Sequence, residues 1–522
     1  MSSRRPSFGA VAAALILAMA LAVPMGTAAA DTGKQQQWRG YWVDSFNAGI
    51  YNPAQVTKLV ADAKRINANA LVVQVGRETD CFCNDSAFPR TQAGGVDPAP
   101  YDPLAEVIEQ AHAAGLEVHA WVNSTILWRS LTPPVDPTHA YHEHGVTATG
   151  RDRWINRRVD GEEVMANRVF LDPANPDAVD YMVEGIASIA RNYDIDGINL
   201  DYIRYPDYSS VTTHSEWGYS ETSIARFQAA TGRTDVPAPG DAQFSDWRRA
   251  QVTSYVRKIY LKLHEVDPAV RLSMDGITYG YGPQGTEGGY EKTRTYAEVL
   301  QDWRGWLAEG IMDTNIAMNY KRDSRADQSV MFDQWSEFLA DNQGRRSSVN
   351  GPALYLNSLE ESLAQARDAL APTAAGNRVI GWTGYSYANP SALVITDPTQ
   401  ADAQRNALAD ALTADLFAEE AAVPDMPWKS RPTRGHLQGK LELRGGGVLD
   451  QAEVTLTSLS TGENTVRRSD GSGWFGFVDV KPGRYLAQVK LPSGVVGKPV
   501  TTVEVRKGAL GTVRLGPFRT VG

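Results

Sequence analysis

Cysteine is almost missing from this 522-residue chain: only Cys81 and Cys83 are present. Two cysteines do not make a disulfide scaffold, and a bridge between them would close a small, strained ring. They are read as a local loop feature, open to oxidation if the chain is exported. Histidine is also sparse, with eight residues in all. His139, His142 and His144 lie close together, but no matching cysteine or carboxylate spacing completes a zinc site, so they are read as polar surface. No metal or other cofactor is expected. Beyond the first thirty residues there is no apolar run of spanning length, so no stable membrane span is expected after that point. Basic residues are outnumbered. Without Arg4 and Arg5, 49 basic side chains face 61 acidic ones, near −12. That balance argues against nucleic acid as a partner. A Gly-x-Ser-x-Gly elbow, a P-loop, a His-Glu-x-x-His helix and a Gly-rich dinucleotide fingerprint are all lacking.

The first thirty residues have the plan of a signal peptide. Arg4 and Arg5 precede an apolar run from Val11 to Val23, and Ala28-Ala29-Ala30 stands before Asp31. A basic start, a short apolar core and small residues at the cut are the signature of a cleaved leader. A secreted, extracellular or cell-wall-associated protein is therefore expected. With 42% hydrophobic and 21% charged residues the remainder reads as ordinary globular sequence.

Eight short β-rich runs follow: 39–44, 70–75, 117–123, 197–203, 271–275, 314–319, 353–357 and 379–385. Several are nearly continuous apolar stretches, as in parallel strands covered on both faces. Helical patterns alternate with them, at 53–66, 103–114, 176–193, 246–266, 296–307, 330–339, 359–370 and 401–417. Eight alternations predict an α/β fold, a (β/α)₈ TIM barrel over residues 37–420. Residues 421–434, rich in Pro, Lys and Arg, read as a linker. From 435 to 522 short strands alternate with Gly, Ser, Asp and Pro turns, which predicts a small all-β sandwich without a catalytic constellation.

In a barrel of this kind the chemistry sits where strands end and lead into helices. The ends here offer carboxylates, amides and aromatics, and none offers a histidine, which disfavours a metal-dependent deacetylase. Paired carboxylates at a barrel mouth suit glycoside hydrolysis: one protonates the leaving oxygen, and the other attacks the sugar or activates water. Long loops after the third and fourth runs carry Trp128, Tyr141, Trp154, Tyr208, Trp217 and Tyr219. About half of these aromatics are expected to pack loops against the barrel and the rest to face a polymer.

The ordered set Trp38–Asp44, Val73–Arg77, Tyr101–Leu104, His119–Asn123, Leu171–Pro173 and Tyr193–Tyr202 resembles the glycosyl-hydrolase-10-like family of bacterial barrel proteins, over about residues 37–390. The resemblance implies a glycosidase fold and, for some members, cleavage of peptide-free peptidoglycan glycan strands. The final β region resembles a carboxypeptidase-regulatory-like or immunoglobulin-like module. The family's Asp-Gly-Ile-x-x-Asp run is matched by Asp196 and Asp201. Alternation along a strand puts Asn199, Asp201 and Ile203 on one face and Asp196 at the strand entry. Ser273-Met274-Asp275-Gly276 departs from the family's usual end of the fifth strand.

Asp201 is the first candidate, as nucleophile or general base; its structural alternative is an ion pair with Arg39 or Arg204. The second acid is sought among Asp323, Asp275 and Glu78, in that order. Arg77, Asn123, Asn199, Tyr202, Arg204, Asn319, Tyr320, Asn357, Trp382 and Tyr385 are the candidate substrate contacts. The expected partner is a polysaccharide, foremost cell-wall glycan, with a non-catalytic glycan-binding scaffold as the alternative.

Overall fold

The computed structural model describes residues 35–130 and 132–521; the expected leader lies outside the described residues. Eight strands close a barrel: β1 (Trp38–Val43), β2 (Ala70–Gly76), β3 (Glu117–Asn123), β4 (Gly197–Asp201), β5 (Arg271–Ile277), β6 (Thr314–Asn319), β7 (Ser347–Pro352) and β8 (Gly381–Tyr385). Each pairs in parallel with its neighbours in sequence, and β8 closes on β1. Every residue of β1 and β2 is buried, as covering on both faces requires.

Helices cross between consecutive strands, and three begin alike. Asn52-Pro53, Asp102-Pro103 and Asn175-Pro176 each place a capping side chain before a proline at the first helical position. The cap oxygen accepts the amide of Gln55, of Ala105, and of both Asp177 and Ala178. Such a cap contributes about 1 kcal/mol, and proline there loses no hydrogen bond.

Two expected elements differ. The seventh strand is Ser347–Pro352, while residues Leu354–Leu356 of the expected run form a single 3₁₀ turn. Val349 and Gly351 face the barrel interior, and Ser348 and Asn350 face outward, where Asn350 bonds Ser336 on the helix Ala326–Asp341. With polar residues on its outer face, β7 carries no apolar run to find. The expected helix 296–307 is two short pieces, Arg294–Ala297 and Trp303–Glu309.

The C-terminal region is a β-sandwich. One sheet holds Trp474–Val480, Gly435–Lys440 and Leu510–Val513, and the other holds Asn464–Arg468, Glu453–Ser458, Gly483–Val489 and Val500–Val505. Leu437, Phe475 and Phe477 of the first sheet share one core with Val454, Leu456 and Ala487 of the second. Residues 421–434, expected as a linker, are packed rather than free. Asn69 donates to Ala421 O and Arg271 to Pro424 O, and both Trp428 and Lys429 reach the buried Asp313. This strap lies across the end of the barrel where its strands begin. The sandwich is tied to the barrel's flank and that same end by Arg226–Asp450, Lys258–Asp470, Arg467–Glu309 and Arg346–Asp479.

Candidate active site

At the opposite end, β4 and β5 bring two carboxyl groups side by side. Asn199 pairs with Ser273 and Leu200 with Met274, so Asp201 and Asp275 come next on strands about 4.8 Å apart. Ile198, Leu200, Leu272 and Met274 pack outward into the core around the barrel, which turns Asn199, Asp201, Ser273 and Asp275 inward. Asp275 is held from below. Trp42 Nε1 donates to its Oδ1 at 3.0 Å, and Asn199, itself bonded to Ser273 Oγ at 3.1 Å, also bonds it. The Trp42 ring passes so close to Gly351 that a Cβ there would stand 2.3 Å from it. Only glycine at this point of β7 lets the indole reach Asp275.

Burial pushes Asp275 well above the usual carboxylate range, and the neighbouring Asp201 charge pushes it further against the Asn199 and Trp42 bonds. Both effects favour the protonated form of Asp275. Asp201 is raised by burial to about 6, opposed by Arg204, Arg168 and bonds from the Tyr202 amide and the Trp121 indole. The Tyr202 N–H donates to Asp201 Oδ1 at 2.6 Å. Arg39 is elsewhere, bonded to Gln37 and to the Glu419 carbonyl just before the strap. Arg204 pairs with Asp207 at 3.4 Å and touches Asp201 only through its field. Asp196 sits at the strand entry as expected, accepting from Val118 N and paired with His112.

A third carboxyl comes from the loop after β2. Glu78 is buried beside Arg77, 3.5 Å away, and Arg129. Burial and Asp80 raise it to about 7, against Arg77 and Arg129. The loop is firmly held. The Arg77 and Glu78 amides donate to Asp80 Oδ1, Asn123 Nδ2 donates to Arg77 O, and the His139 ring meets Glu78 O at 2.8 Å. Cys81 and Cys83 are joined by a disulfide at its far end, more than the loop feature expected of them. Both Thr79 (φ 55°) and Tyr202 (φ 51°), directly after Glu78 and Asp201, have left-handed backbone. Neither is glycine, so each costs on the order of 1 kcal/mol.

Asp201, Asp275 and Glu78 line one cavity of about 350 Å³ at the mouth of the barrel, within the range of small-ligand sites. The family model for glycosyl hydrolase-like 10 proteins matches residues 37–347, more than half of the chain. The chain belongs to the glycosyl hydrolase-like 10 family. Among curated relatives, glycosyl hydrolase YngK of Bacillus subtilis is 24% identical over 416 residues, covering 75% of this chain and 72% of that protein. Glycosyl hydrolase DigH of Escherichia coli is 23% identical over 355 residues, covering 61% and 73%. Among solved structures, the PgaB glycoside hydrolase domain from Bordetella bronchiseptica aligns with a TM-score of 0.48 and 16% identity, over 71% of this chain and 98% of that domain.

In this glycosyl hydrolase-like barrel the cavity gathers Arg77, Asn123, Tyr202, Arg204, Tyr320 and Tyr385 of the expected substrate contacts. The others lie apart. Asn199 is one layer down, holding Asp275. Asn319 turns outward to Phe332 O and Ser336. Trp382 turns outward against Tyr41 and Phe417. Asn357 is buried, bonding Lys321 O, Ala353 O and Gln365. Asp323, ranked first for the second acid, does not line the cavity. Its amide donates to Asn357, and its acidic neighbours are Glu361 and Asp368.

None of the six loop aromatics lines the cavity. Tyr141, Trp154, Trp217 and Tyr219 are buried in loop packing. Aromatic lining comes instead from Trp121, Tyr279, Tyr355 and the rim residue Phe46, which is 46% exposed. The three histidines diverge. His139 is buried under the Glu78 loop rather than at the surface, His142 bonds Pro134 O, and His144 stacks on Trp154. Sequence reasoning also passed over Gln74, Arg129, Arg168 and Lys321. Lys321 was visible two residues before Asp323. Arg168 lies some forty residues past β3, on a short strand Arg168–Phe170 with no signal tying it to the mouth.

Proposed function

We propose that this protein is a secreted glycoside hydrolase that cleaves a polysaccharide, foremost peptidoglycan glycan strands, with Asp201 and Glu78 as its working carboxyl pair. The observation that carries this reading is their common cavity, where each is buried and titrates close to neutrality. A general acid needs a raised pKa to hold its proton at working pH. Glu78, at about 7, is suited to protonate the leaving oxygen from the rim. Asp201, at about 6, is suited to act as the base or nucleophile. Asp275 beneath it, pushed well above the usual carboxylate range by burial and by Asp201, favours its protonated form and so limits negative charge on the floor. Flat faces of Phe46, Tyr385 and Tyr355 offer apolar surface to sugar rings. Glycoside hydrolysis is supported by the family and by the relatives' names; peptidoglycan is what the resemblance of the sequence implies. Export is supported by the first thirty residues and by the disulfide, since such bonds persist in oxidising compartments.

The test is hydrolysis of peptidoglycan glycan strands stripped of stem peptides, read as new reducing ends and by mass spectrometry. Asp201→Asn and Glu78→Gln should each lower turnover on the order of 10²–10⁴-fold while still folding. Equal cutting by wild type and Asp201→Asn removes Asp201 from the chemistry. Binding without cutting by the wild type makes the protein a glycan-binding scaffold instead.

A further inference from the structure

The cavity is basic in a chain that is acidic. Arg77, Arg129, Arg168, Arg204 and Lys321 line it against Glu78, Asp201 and Asp275, and burial and Asp201 push Asp275 well above the usual carboxylate range. Three of the cations are engaged: Arg77 and Arg129 with Glu78, and Arg204 with Asp207. Arg168 and Lys321 have no ion pair among the described residues. Arg168, half-buried, leans over the Tyr202 ring and meets its hydroxyl at 3.4 Å. Lys321 is buried, with Nζ donating to Thr278 O at 2.8 Å. Burial without a counter-charge lowers Lys321 to about 7, so a nearby anion would draw it back to its charged form, and Arg168 acts on Asp201 through its field without pairing to it. Other buried cations are met by acids, as Lys429 is by Asp313 and Arg257 by Glu309, or by several carbonyls, as Arg248 is by those of Ser215, Trp217 and Pro239. Arg168 and Lys321 thus face one ligand-sized cavity, and no carboxylate among the described residues pairs with either.

We propose that Arg168 and Lys321 form an anion subsite that selects a sugar carrying a carboxylate at the position bound beside Asp201. This rests on the glycosidase reading for its setting, while the subsite is a binding property that can be measured without turnover. Arg168 supplies a guanidinium at the rim able to grip a carboxylate through two parallel hydrogen bonds. Lys321 supplies an ammonium in the wall, which an anionic ligand would favour in its charged form. The shared chemistry is a carboxylate-bearing sugar, which two sources offer: the lactyl carboxylate of muramic acid in strands freed of stem peptide, and the ring carboxylate of a uronic acid.

The experiment compares stripped peptidoglycan strands with the same strands after their carboxyl groups have been reduced to alcohols, and adds an oligouronide as a third ligand. Binding is followed by calorimetry and cleavage separately by reducing ends, for wild type, Arg168→Gln and Lys321→Met. Wild type should bind the carboxylate strands about tenfold to a hundredfold more tightly than the reduced ones, the span expected of a hydrogen bond between charged groups. That preference should collapse toward one in Arg168→Gln and shrink in Lys321→Met. Equal binding of both strands by wild type overturns the subsite even if both are cut. A preference that survives in Arg168→Gln and in Lys321→Met overturns it as well. Selective, Arg168-dependent binding without any cleavage leaves the subsite standing and removes the glycosidase reading. The same dependence seen with the oligouronide alone keeps the subsite and replaces the peptidoglycan assignment.

Discussion

The barrel's two ends bury aspartates equally and treat them oppositely. Asp275 at the mouth and Asp313 at the base are both essentially inaccessible to solvent. Asp275 meets Trp42, Asn199 and another carboxylate, and is pushed well above the usual carboxylate range by burial and by Asp201. Burial pushes Asp313 up as well, but Lys429, Arg346 and the Leu272 amide outweigh it and leave Asp313 below that range. Glu309 under Arg257 and Arg467 behaves like Asp313. Burial alone therefore does not decide the charge state; the partner does. At the base the sequence spends cations from the strap and sandwich to neutralise buried acids. At the mouth it withholds them from Asp275 and leaves Arg168 and Lys321 unmatched, so that charge is available to a ligand.

The sharpest way to break this contrast is to neutralise each aspartate in turn. Asp313→Asn leaves Lys429 buried without its counter-charge, and removing one partner of a buried pair costs about 3–5 kcal/mol. Thermal or urea denaturation should show a loss of that order. Asp275→Asn replaces a neutral acid by a neutral amide that can still accept from Trp42, so stability should move by on the order of 1 kcal/mol or less. Losses of similar size at both sites would mean that Asp275 is ionised and paired, and the contrast would fall.

A second test sharpens it through pH. Asp201 rises from 3.8 to about 6 and Glu78 from 4.5 to about 7 on folding. Between those values the folded state holds more protons than the unfolded one, so these two groups make stability fall as pH rises from about 4 to about 7. Asp313, held low, works the other way: its contribution is present above the ordinary carboxylate value and is lost as pH falls through its folded value. Asp201→Asn should therefore melt above the wild type at pH 8, and the gap should close toward pH 4. Melting curves across that range that run parallel for the two proteins would show that Asp201 is not raised.

The contrast between the ends was only partly legible in the sequence. The barrel was, because eight periodic alternations and repeated Asn-Pro or Asp-Pro caps are local signals. Asp201 was, because strand alternation fixed its face and the run of Asp196 to Asp201 fixed its place. Alternation was also where the reading slipped. Asn319 stands one residue from Tyr320 and Trp382 three from Tyr385, and an odd number of steps along a strand is the difference between helix packing and cavity. Asp323 sat at a strand end in sequence, yet the chain turns after Lys321 and carries it outward. Phe46 and Arg129 reach the mouth on loops, and Arg168 on a three-residue strand beyond a long loop, paths that no periodicity encodes. The strap read as a linker because its Pro, Lys and Arg look solvent-exposed in one dimension; that Lys429 and Trp428 find Asp313 is a fact of three.

The strap gives the most discriminating test. Trp428 Nε1 donates to Asp313 Oδ1 at 2.6 Å, while Lys429, the Leu272 amide and Tyr260 remain around the same carboxylate. Trp428→Phe removes that single donor and keeps an aromatic ring under Arg346. The loss should be about 1.5–3 kcal/mol, the range for a hydrogen bond to a charged group, and smaller than that of Asp313→Asn. Because the bond lies at the base, it should lower the melting temperature and leave KM for glycan unchanged. A raised KM would mean that the strap's grip is transmitted along β5 and β6 to the mouth. The two ends would then be one coupled system rather than a scaffold below and a site above.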